Sequence, residues 1–181
     1  MPIYIIMTKE ELLNQLEHTK NNYIVGLAAM SVFGSGQAMG LLEHHSTAFG
    51  DYTVTFDQLA RLLKNERDSR IVLAEFNKML MRTTIKESFE HIKDYCQSTD
   101  QYVLLKAEPW YEFARIIRNF LSHNCRFIFN KFDRERLPIR WRDFEITEAL
   151  HGRGLSGHIF GNVETWELFQ QFVEFASQKL R

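Results

Sequence analysis

The stretch WYEFARIIRNFLSHNCRFI, residues Trp110 to Ile128, decides how we expect the chain to fold. Successive residues of an α-helix lie about 100° apart, and this spacing separates the stretch into an apolar and a polar face. The apolar face holds Phe113, Ile116, Ile117, Phe120, Leu121, Phe127 and Ile128, with Trp110, Ala114 and Cys125 beside them and Asn124 as its one polar residue. The polar face holds Glu112, Arg115, Arg118, Asn119, Ser122, His123 and Arg126. The pattern predicts a helix over 110–128 with one side in the core.

The polar face of this helix differs from an ordinary solvated face. It carries three arginines, one acid and a His–Ser–Asn cluster, with no Lys/Glu pairs. Solvated helix faces usually show opposite charges at i, i+4 spacing. The face therefore favours contact with an anion, or with a partner that brings one.

Within the polar face, Arg118, Asn119 and His123 spell R-N-x-x-x-H. Asn119 and His123 are four residues apart and share one side of a helix. Arg118 and His123 are five apart, about 140° around a continuous helix. One helix therefore does not easily aim both at one atom, whereas two antiparallel helices would bring the Arg of one near the His of the other.

These residues resemble the signature of the HEPN superfamily, R-x4-6-H with a polar residue after the arginine, late in a small helical chain. The resemblance implies a metal-independent endoribonuclease that acts as a symmetric homodimer, with the two motif helices lining a shared cleft. It also implies RNA as substrate, and a role in phage defence, in a toxin–antitoxin pair or in an RNA-targeting stress response. An antitoxin or other partner protein would then accompany the chain.

The side chains of the motif suit cleavage of RNA through its 2′-hydroxyl. This reaction needs a base for that hydroxyl, an acid for the departing 5′-oxygen and positive charge on the phosphate. His123 can exchange a proton near neutral pH, and Arg118 can hold phosphoryl oxygens. Asn119 would orient His123 or the phosphate. Arg115, Ser122 and Arg126 are predicted as further phosphate contacts, and no metal or cofactor is expected.

Three alternatives remain open at this stage. Asn119, Ser122 and His123 could simply bond to a neighbouring helix, with Arg118 on a carboxylate. A HEPN-like module could dimerise or bind a nucleotide or RNA without cutting it. A purely helical interaction protein would bury the motif face on a protein partner.

Charge is unevenly distributed along the chain, although the net charge is only −1. Residues 113–142 hold eight Lys/Arg and two acids, a local charge of +6. Residues 1–112 carry −4 (11 basic, 15 acidic) and residues 143–181 carry −3 (3 basic, 6 acidic). A basic stretch on and after the motif helix is typical of a phosphate-binding surface, and an Arg-rich solvated loop is the alternative.

Length and composition predict one soluble domain. The 181 residues favour a single domain over 1–181, with 45% hydrophobic and 25% charged residues. No apolar run is long enough for a membrane span, and the first residues lack the basic segment of a secretory signal. The two cysteines, Cys96 and Cys125, are expected as buried thiols in a reducing cytoplasm.

The remaining elements follow from caps and periodicity. Thr8 and Glu11 form a capping-box pattern that starts a first helix. Further helices are predicted at Tyr23–His44, at Thr55–Lys64 after a Gly50-Asp51 turn, at Asp68–Ser98, and from an Asn162 cap to about Leu180. The small residues within 23–44 indicate either close approach of another helix or a break near Phe33–Gly36. Residues Ile139–Ile146 predict a β-hairpin, followed by turns at Gly152, Gly154 and Gly157. The sequence therefore predicts an all-α fold, a bundle of about five helices with a short β-hairpin inserted before the last helix.

Overall fold

The protein is mostly helical, as the computed structural model shows for residues 7–36, 38–154 and 160–181. Helix accounts for 66% and strand for 9% of these described residues. The chain divides into two compact units. Unit 1 contains the described residues of Met1–Asn21 and Met81–Arg181, and unit 2 contains those of Asn22–Leu80. Across the described ranges, no helix combines the length and the apolar character that a membrane crossing requires.

The helices range from single turns to a rod of 33 residues. They are α1 Lys9–Gly34, α2 Met39–Leu42, α3 Asp57–Lys64, α4 Glu66–Ser98, α5 Tyr102–Lys106, α6 Tyr111–Ser122, α7 Lys131–Arg134 and α8 Asn162–Gln178. The strands are β1 Ser46–Phe49, β2 Tyr52–Thr55, β3 Ile139–Trp141 and β4 Phe144–Ile146, and a 3₁₀ turn covers Glu148–Leu150. Five of these helices have eight or more residues. The mostly helical class is thus confirmed, whereas a five-helix bundle stays a prediction.

The first two helices predicted from the sequence form a single continuous helix, α1, in the structure. The Thr8 and Glu11 capping box is present, since the Thr8 amide donates to Glu11 Oε2 at 2.7 Å and the Glu11 amide to Thr8 Oγ1 at 3.2 Å. From there α1 continues without interruption to Gly34 and ends within the predicted break. The prediction of a separate helix over Tyr23–His44 was wrong, because residues 8–34 contain no proline that would interrupt the helical hydrogen bonds.

Two antiparallel hairpins interrupt the helices, where the sequence predicted one. The predicted hairpin at 139–146 is confirmed, with Ile139 opposite Ile146 and Trp141 opposite Phe144. The additional hairpin joins β1 and β2 through the turn at Gly50, where φ is +57°. Its strands have four residues each and are mostly exposed, so they lack the alternating burial that marks a strand in sequence. Gly157 lies outside the described residues.

Aromatic side chains form the core of unit 1 around α6. Trp110 packs on Phe172 of α8 with ring centroids 5.0 Å apart, and Phe113 stacks on Trp141 of β3 at 4.7 Å. Trp141 Nε1 also donates to Gln171 Oε1 at 2.9 Å, so the hairpin is tied to both helices. Burial of such rings is the main stabilising term of a domain of this size, and it fixes α6 in place.

Two predicted helix caps were wrong. Asn162 is the first residue of α8 rather than its cap, and the Glu164 carboxylate accepts from the Gly161 amide at 2.7 Å instead. The cap position of α3 is Phe56, one residue after the predicted Thr55. At the other end of α8, Lys9 Nζ donates to the carbonyls of Ser177 at 2.9 Å and Leu180 at 2.6 Å, where a positive charge complements the helix dipole.

Candidate functional site at the end of helix α6

The motif helix is shorter than predicted. α6 ends at Ser122, so the predicted helix over 110–128 was wrong beyond that residue. His123 is the C-cap residue with φ −102° and ψ 50°, and Asn124 and Cys125 both have φ of +53°, which turns the chain out of the helix. The chain then extends, and the Phe127 amide donates to the Arg153 carbonyl at 3.1 Å. The angular argument that placed Arg118 and His123 about 140° apart therefore does not hold, because it needs a continuous helix.

Arg118 lies in a small polar cluster between α6 and α4. Its Nη1 donates to the side-chain oxygen of Asn119 at 2.7 Å, and its Nη2 donates to Glu90 Oε1. The other carboxylate oxygen of Glu90 accepts from Lys93 Nζ at 3.0 Å. Arg118 Nε is buried and has no hydrogen-bond partner among the described residues. The guanidinium is therefore oriented on two sides and retains unused donors.

The charge state of Glu90 follows from its two cations. Partial burial disfavours the carboxylate, but the hydrogen bond from Lys93 and the charge of Arg118 outweigh it and hold the pKa of Glu90 below its ordinary value of 4.5. Glu90 is thus ionised at neutral pH. Its negative charge both positions Arg118 and competes with any phosphate for the guanidinium.

We expect the contribution of Glu90 to stability to disappear in acid. Because the pKa is lowered on folding, ionised Glu90 stabilises the fold above the unfolded pKa of about 4.5, and this stabilisation is lost as pH falls through the folded value. The difference in unfolding free energy between wild type and Glu90→Gln, measured by urea denaturation, should therefore be largest near pH 7 and shrink below pH 4.5. The control is Glu75→Gln, which removes the exposed carboxylate that pairs with Lys78. A difference independent of pH would contradict this prediction.

His123 is exposed, and its ring makes no hydrogen bond within the described part of the chain. Its backbone amide donates to the carbonyls of Asn119 at 3.0 Å and Phe120 at 3.2 Å, which fixes the position of its Cα at the helix end. The imidazole is thus available to an external group. The alternative in which His123 bonds to a neighbouring helix has no contact to support it among the described residues.

Arg115 has a different environment from Arg118. Its Nη1 donates to Asp133 Oδ1 at 2.6 Å and its Nε to Glu112 Oε2 at 2.9 Å, and its guanidinium lies 4.9 Å from the Phe132 ring centre. Burial opposes its charge, yet the hydrogen bonds to the two carboxylates prevail and raise its pKa. The side chain is 15% exposed. This placement favours a structural role, and phosphate contact by Arg115 stays a prediction.

Ser122 and Arg126, the other predicted phosphate contacts, are both exposed. Ser122 Oγ donates to the Arg118 carbonyl at 2.8 Å, a bond back into the last turn of the helix. Arg126 Nη1 donates to the Gly152 carbonyl at 3.3 Å. Neither contact involves a carboxylate, so both side chains can turn toward a phosphate.

The basic stretch is more neutral than its sequence indicates. Ion pairs join Arg134 to Glu148, Arg136 to Glu112, Arg140 to Glu145 and Arg142 to Glu167. All four acids lie outside residues 113–142, so the count of +6 omitted them. Exposed pairs of this kind contribute little free energy and exchange readily. The arginines can therefore still meet a phosphate backbone, but they do not form an uncompensated positive patch.

Two residues of the cluster escaped the sequence analysis. Glu90 and Lys93 form an i, i+3 pair on α4, which in sequence is indistinguishable from a solvated pair.

No group of three or more His, Cys, Asp or Glu side chains that could hold a metal ion is found within residues 7–36, 38–154 and 160–181. The buried thiols are confirmed, and burial raises the pKa of Cys96 to about 12.

Comparison with known proteins finds no relative: no protein family matches the chain, and neither does any curated protein or solved structure.

Proposed function

We propose that the chain is a HEPN-like endoribonuclease that cuts RNA by attack of the 2′-hydroxyl, without a metal. The proposal rests on two features of the end of α6. The His123 side chain is exposed, with no ring hydrogen bond among the described residues, and Arg118, five residues earlier in the chain, is oriented by Asn119 at 2.7 Å. The mostly helical class is compatible with such a domain. A role in defence or in a toxin–antitoxin pair, in the cytoplasm, belongs to the same proposal.

In the proposed reaction, His123 takes or returns one proton. The 2′-oxygen loses its proton and bonds to phosphorus, the bond from phosphorus to the 5′-oxygen breaks, and the 5′-oxygen receives a proton. The products are a 2′,3′-cyclic phosphate and a 5′-hydroxyl. The His123 imidazole would perform one of these transfers, and a second histidine or water would perform the other.

Arg118 would stabilise the charge that develops on the phosphoryl oxygens. Two of its five N–H donors are bound to Asn119 and Glu90, and Nε is buried, which leaves one N–H on Nη1 and one on Nη2 for an anion. Because Glu90 is shared with Lys93, its negative charge next to the phosphate is partly compensated. Glu90 would thus hold the guanidinium in place before RNA binds.

The test is cleavage of a 5′-labelled RNA in the presence of EDTA. We expect products that end in a 2′,3′-cyclic phosphate, and no cleavage when the nucleotide 5′ of the scissile bond is 2′-deoxy, because the attacking hydroxyl is then absent. Cleavage of the deoxy substrate, or activity that EDTA abolishes, would exclude this mechanism.

A second candidate is a non-catalytic HEPN-like module that dimerises or binds a nucleotide or RNA. It is favoured by the ion pair between Arg118 and Glu90, since this arginine already has an anionic partner. RNA that shifts in a gel without any cleaved product would support the second candidate. If the α6 face instead binds an antitoxin or another partner protein, the chain should form a stable complex with that protein in the absence of RNA.

A further inference from the structure

Phe132 of α7 is exposed in the middle of the arginine-rich residues 113–142. It is 47% exposed, whereas the nearby rings of Phe127 and Phe129 are buried in the core. Within the part of unit 1 that the structure describes, no other Phe, Tyr or Trp is exposed. Single exposed hydrophobic side chains are common on protein surfaces, so exposure by itself assigns no role to this ring. The groups that contact the ring are more informative.

The Arg136 guanidinium lies flat on the Phe132 ring. Its central carbon, Cζ, is 3.3 Å from the ring centre. Carbon atoms in van der Waals contact are about 3.5 Å apart, so at this distance the guanidinium must lie over the face of the ring and parallel to it. Arginine favours such stacking because its charge is spread over a planar group. We call Phe132 and Arg136 the Phe–Arg stack.

Contacts at the edge of the guanidinium hold it in this orientation. Arg136 Nη1 donates to the Phe132 carbonyl at 3.1 Å, and Arg136 Nε lies 3.5 Å from Glu112 Oε1. The N–H bonds of a guanidinium point outward in its own plane, so these contacts do not cover its flat sides. One flat side faces Phe132. The Arg136 side chain is 38% exposed, and the other flat side therefore meets solvent.

The Phe–Arg stack is fixed beside the motif helix. Glu112 of α6 accepts from Arg115 Nε at 2.9 Å through its second oxygen, so one carboxylate joins Arg115 to Arg136. The Arg115 guanidinium also lies 4.9 Å from the Phe132 ring centre. Arg115 precedes Arg118 by three residues, which places their Cβ atoms about 5–6 Å apart on one side of α6. A strand whose phosphate is held by Arg118 therefore has a neighbouring nucleotide beside the stack.

We propose that the Phe–Arg stack binds one base of single-stranded RNA on the exposed flat side of Arg136, an inference that rests on the function proposed above for the choice of RNA. Unpaired bases stack on aromatic rings and on guanidinium planes. Every base has a flat face, so the stack accepts all four bases. A double helix covers these faces with neighbouring base pairs, so the stack selects single strands over duplexes.

Each member of the Phe–Arg stack has its own part in this binding. Arg136 supplies the plane that contacts the base and a positive charge near the phosphates. Phe132 holds that plane flat before RNA binds, which reduces the rotational freedom that the arginine loses on binding. Lysine at position 136 would keep the charge but has no plane to stack on a base. Arg136→Lys therefore separates base stacking from simple attraction to phosphate.

The first experiment measures the affinity of the full chain for a fluorescent single strand of 2′-O-methyl RNA, which lacks the free 2′-hydroxyl that the proposed cleavage requires. Arg136→Lys and Phe132→Ala are each expected to weaken binding about 5–100-fold, the usual effect of losing one base stack. Wild-type affinity in either variant overturns the proposal, and so does a wild-type chain that does not bind the strand.

Two substitutions serve as matched controls in the same titration. Arg140→Lys changes another exposed arginine of the basic stretch, and Phe49→Ala removes an exposed ring in unit 2. Both should bind the strand within about twofold of wild type. A loss in the controls equal to that in Arg136→Lys and Phe132→Ala would show that any such change weakens binding, and it would overturn the proposal.

The second experiment starts from the unchanged protein, so it does not depend on how the variants fold. Wild type should bind the complete strand at least about 5-fold more tightly than a strand of abasic spacers with the same number of phosphates. In Arg136→Lys this preference for bases should shrink by about 5–100-fold, as a double-mutant cycle measures. Equal affinity of wild type for the two strands, or an undiminished preference in Arg136→Lys, overturns the proposal.

The same measurements separate the Phe–Arg stack from the proposed nuclease. Cleavage of ordinary RNA by a wild-type chain that shows no preference for bases would overturn the stack alone. Base-dependent binding that Arg136→Lys removes, without any cleavage of ordinary RNA, would support the stack and refute the nuclease.

Discussion

His123→Ala is expected to lower the rate constant of RNA cleavage about 10²–10⁴-fold, the usual effect of removing a general acid or base. The imidazole is exposed at the end of α6, and the fold does not depend on its ring, so the unfolding free energy should change by less than about 1 kcal/mol. Arg118→Ala should lower the rate about 10²–10³-fold through loss of charge stabilisation. Single-turnover cleavage of a labelled RNA in EDTA measures both effects.

Matched substitutions outside the site serve as controls. His18 is an exposed histidine on α1, and Arg70 is an exposed arginine paired with Glu66 on α4. His18→Ala and Arg70→Ala should leave cleavage within about twofold of wild type. Equal loss in all four variants would indicate a general loss of folding or of RNA binding. Equal activity in all four, as a contaminating nuclease would give, would refute the proposed site.

A mixture of the two inactive variants tests whether the site needs two chains. If Arg118 of one chain works with His123 of another, subunit exchange creates heterodimers with one intact site and restores about a quarter of the wild-type activity. If both residues act within one chain, the mixture remains inactive. The homodimeric site predicted from sequence is contradicted by the second outcome.

Asp133→Ala is expected to lower the free energy of unfolding by about 3–5 kcal/mol, because Arg115 then keeps only its partly exposed partner Glu112 and the cap of α7 is lost. The Asp133 side chain is 1% exposed and pairs with Arg115 at 2.6 Å. Its Oδ2 also accepts from the Asn130 amide at 3.0 Å, and its own amide donates to Asn130 Oδ1 at 2.9 Å, which closes the capping box of α7. The substitution therefore removes an ion pair and a helix cap together.

An exposed pair in the same region provides the comparison. Arg140 and Glu145 lie opposite each other across the β3–β4 hairpin at 2.8 Å, with the Arg140 side chain 75% exposed. Glu145→Ala should cost less than about 1 kcal/mol in the same urea titration, because water screens the pair. If Asp133→Ala costs no more than Glu145→Ala, then Arg115 is not held as the structure indicates and becomes available to phosphate.

Local patterns predicted the fold class and several elements correctly. The capping box at Thr8, the turn at Gly50 and the β-hairpin at 139–146 all depend on neighbouring residues and were confirmed. The extension of the motif helix to Ile128 was wrong although its apolar spacing is helical. Phe127 and Phe129 are buried and Ile128 is exposed, which is the alternation of an extended chain beside residues 152–154. Over so few residues the apolar spacing fits both the helical period and the alternation of an extended chain. Contacts with residues 152–154, which are distant in sequence, decide in favour of the extended chain.

By itself, the sequence determined that the protein is mostly helical and that Arg118, Asn119 and His123 follow closely on one another on the polar face of a helical stretch. These properties follow from the spacing of side chains along the chain. Only the tertiary structure decided which acids neutralise the arginines, since Glu90 reaches Arg118 across 28 residues and Asp133 reaches Arg115 across 18. Charge interactions depend on distance in space, and the packing of the aromatic core sets that distance, so Arg115 became a buried structural cation while His123 was left exposed.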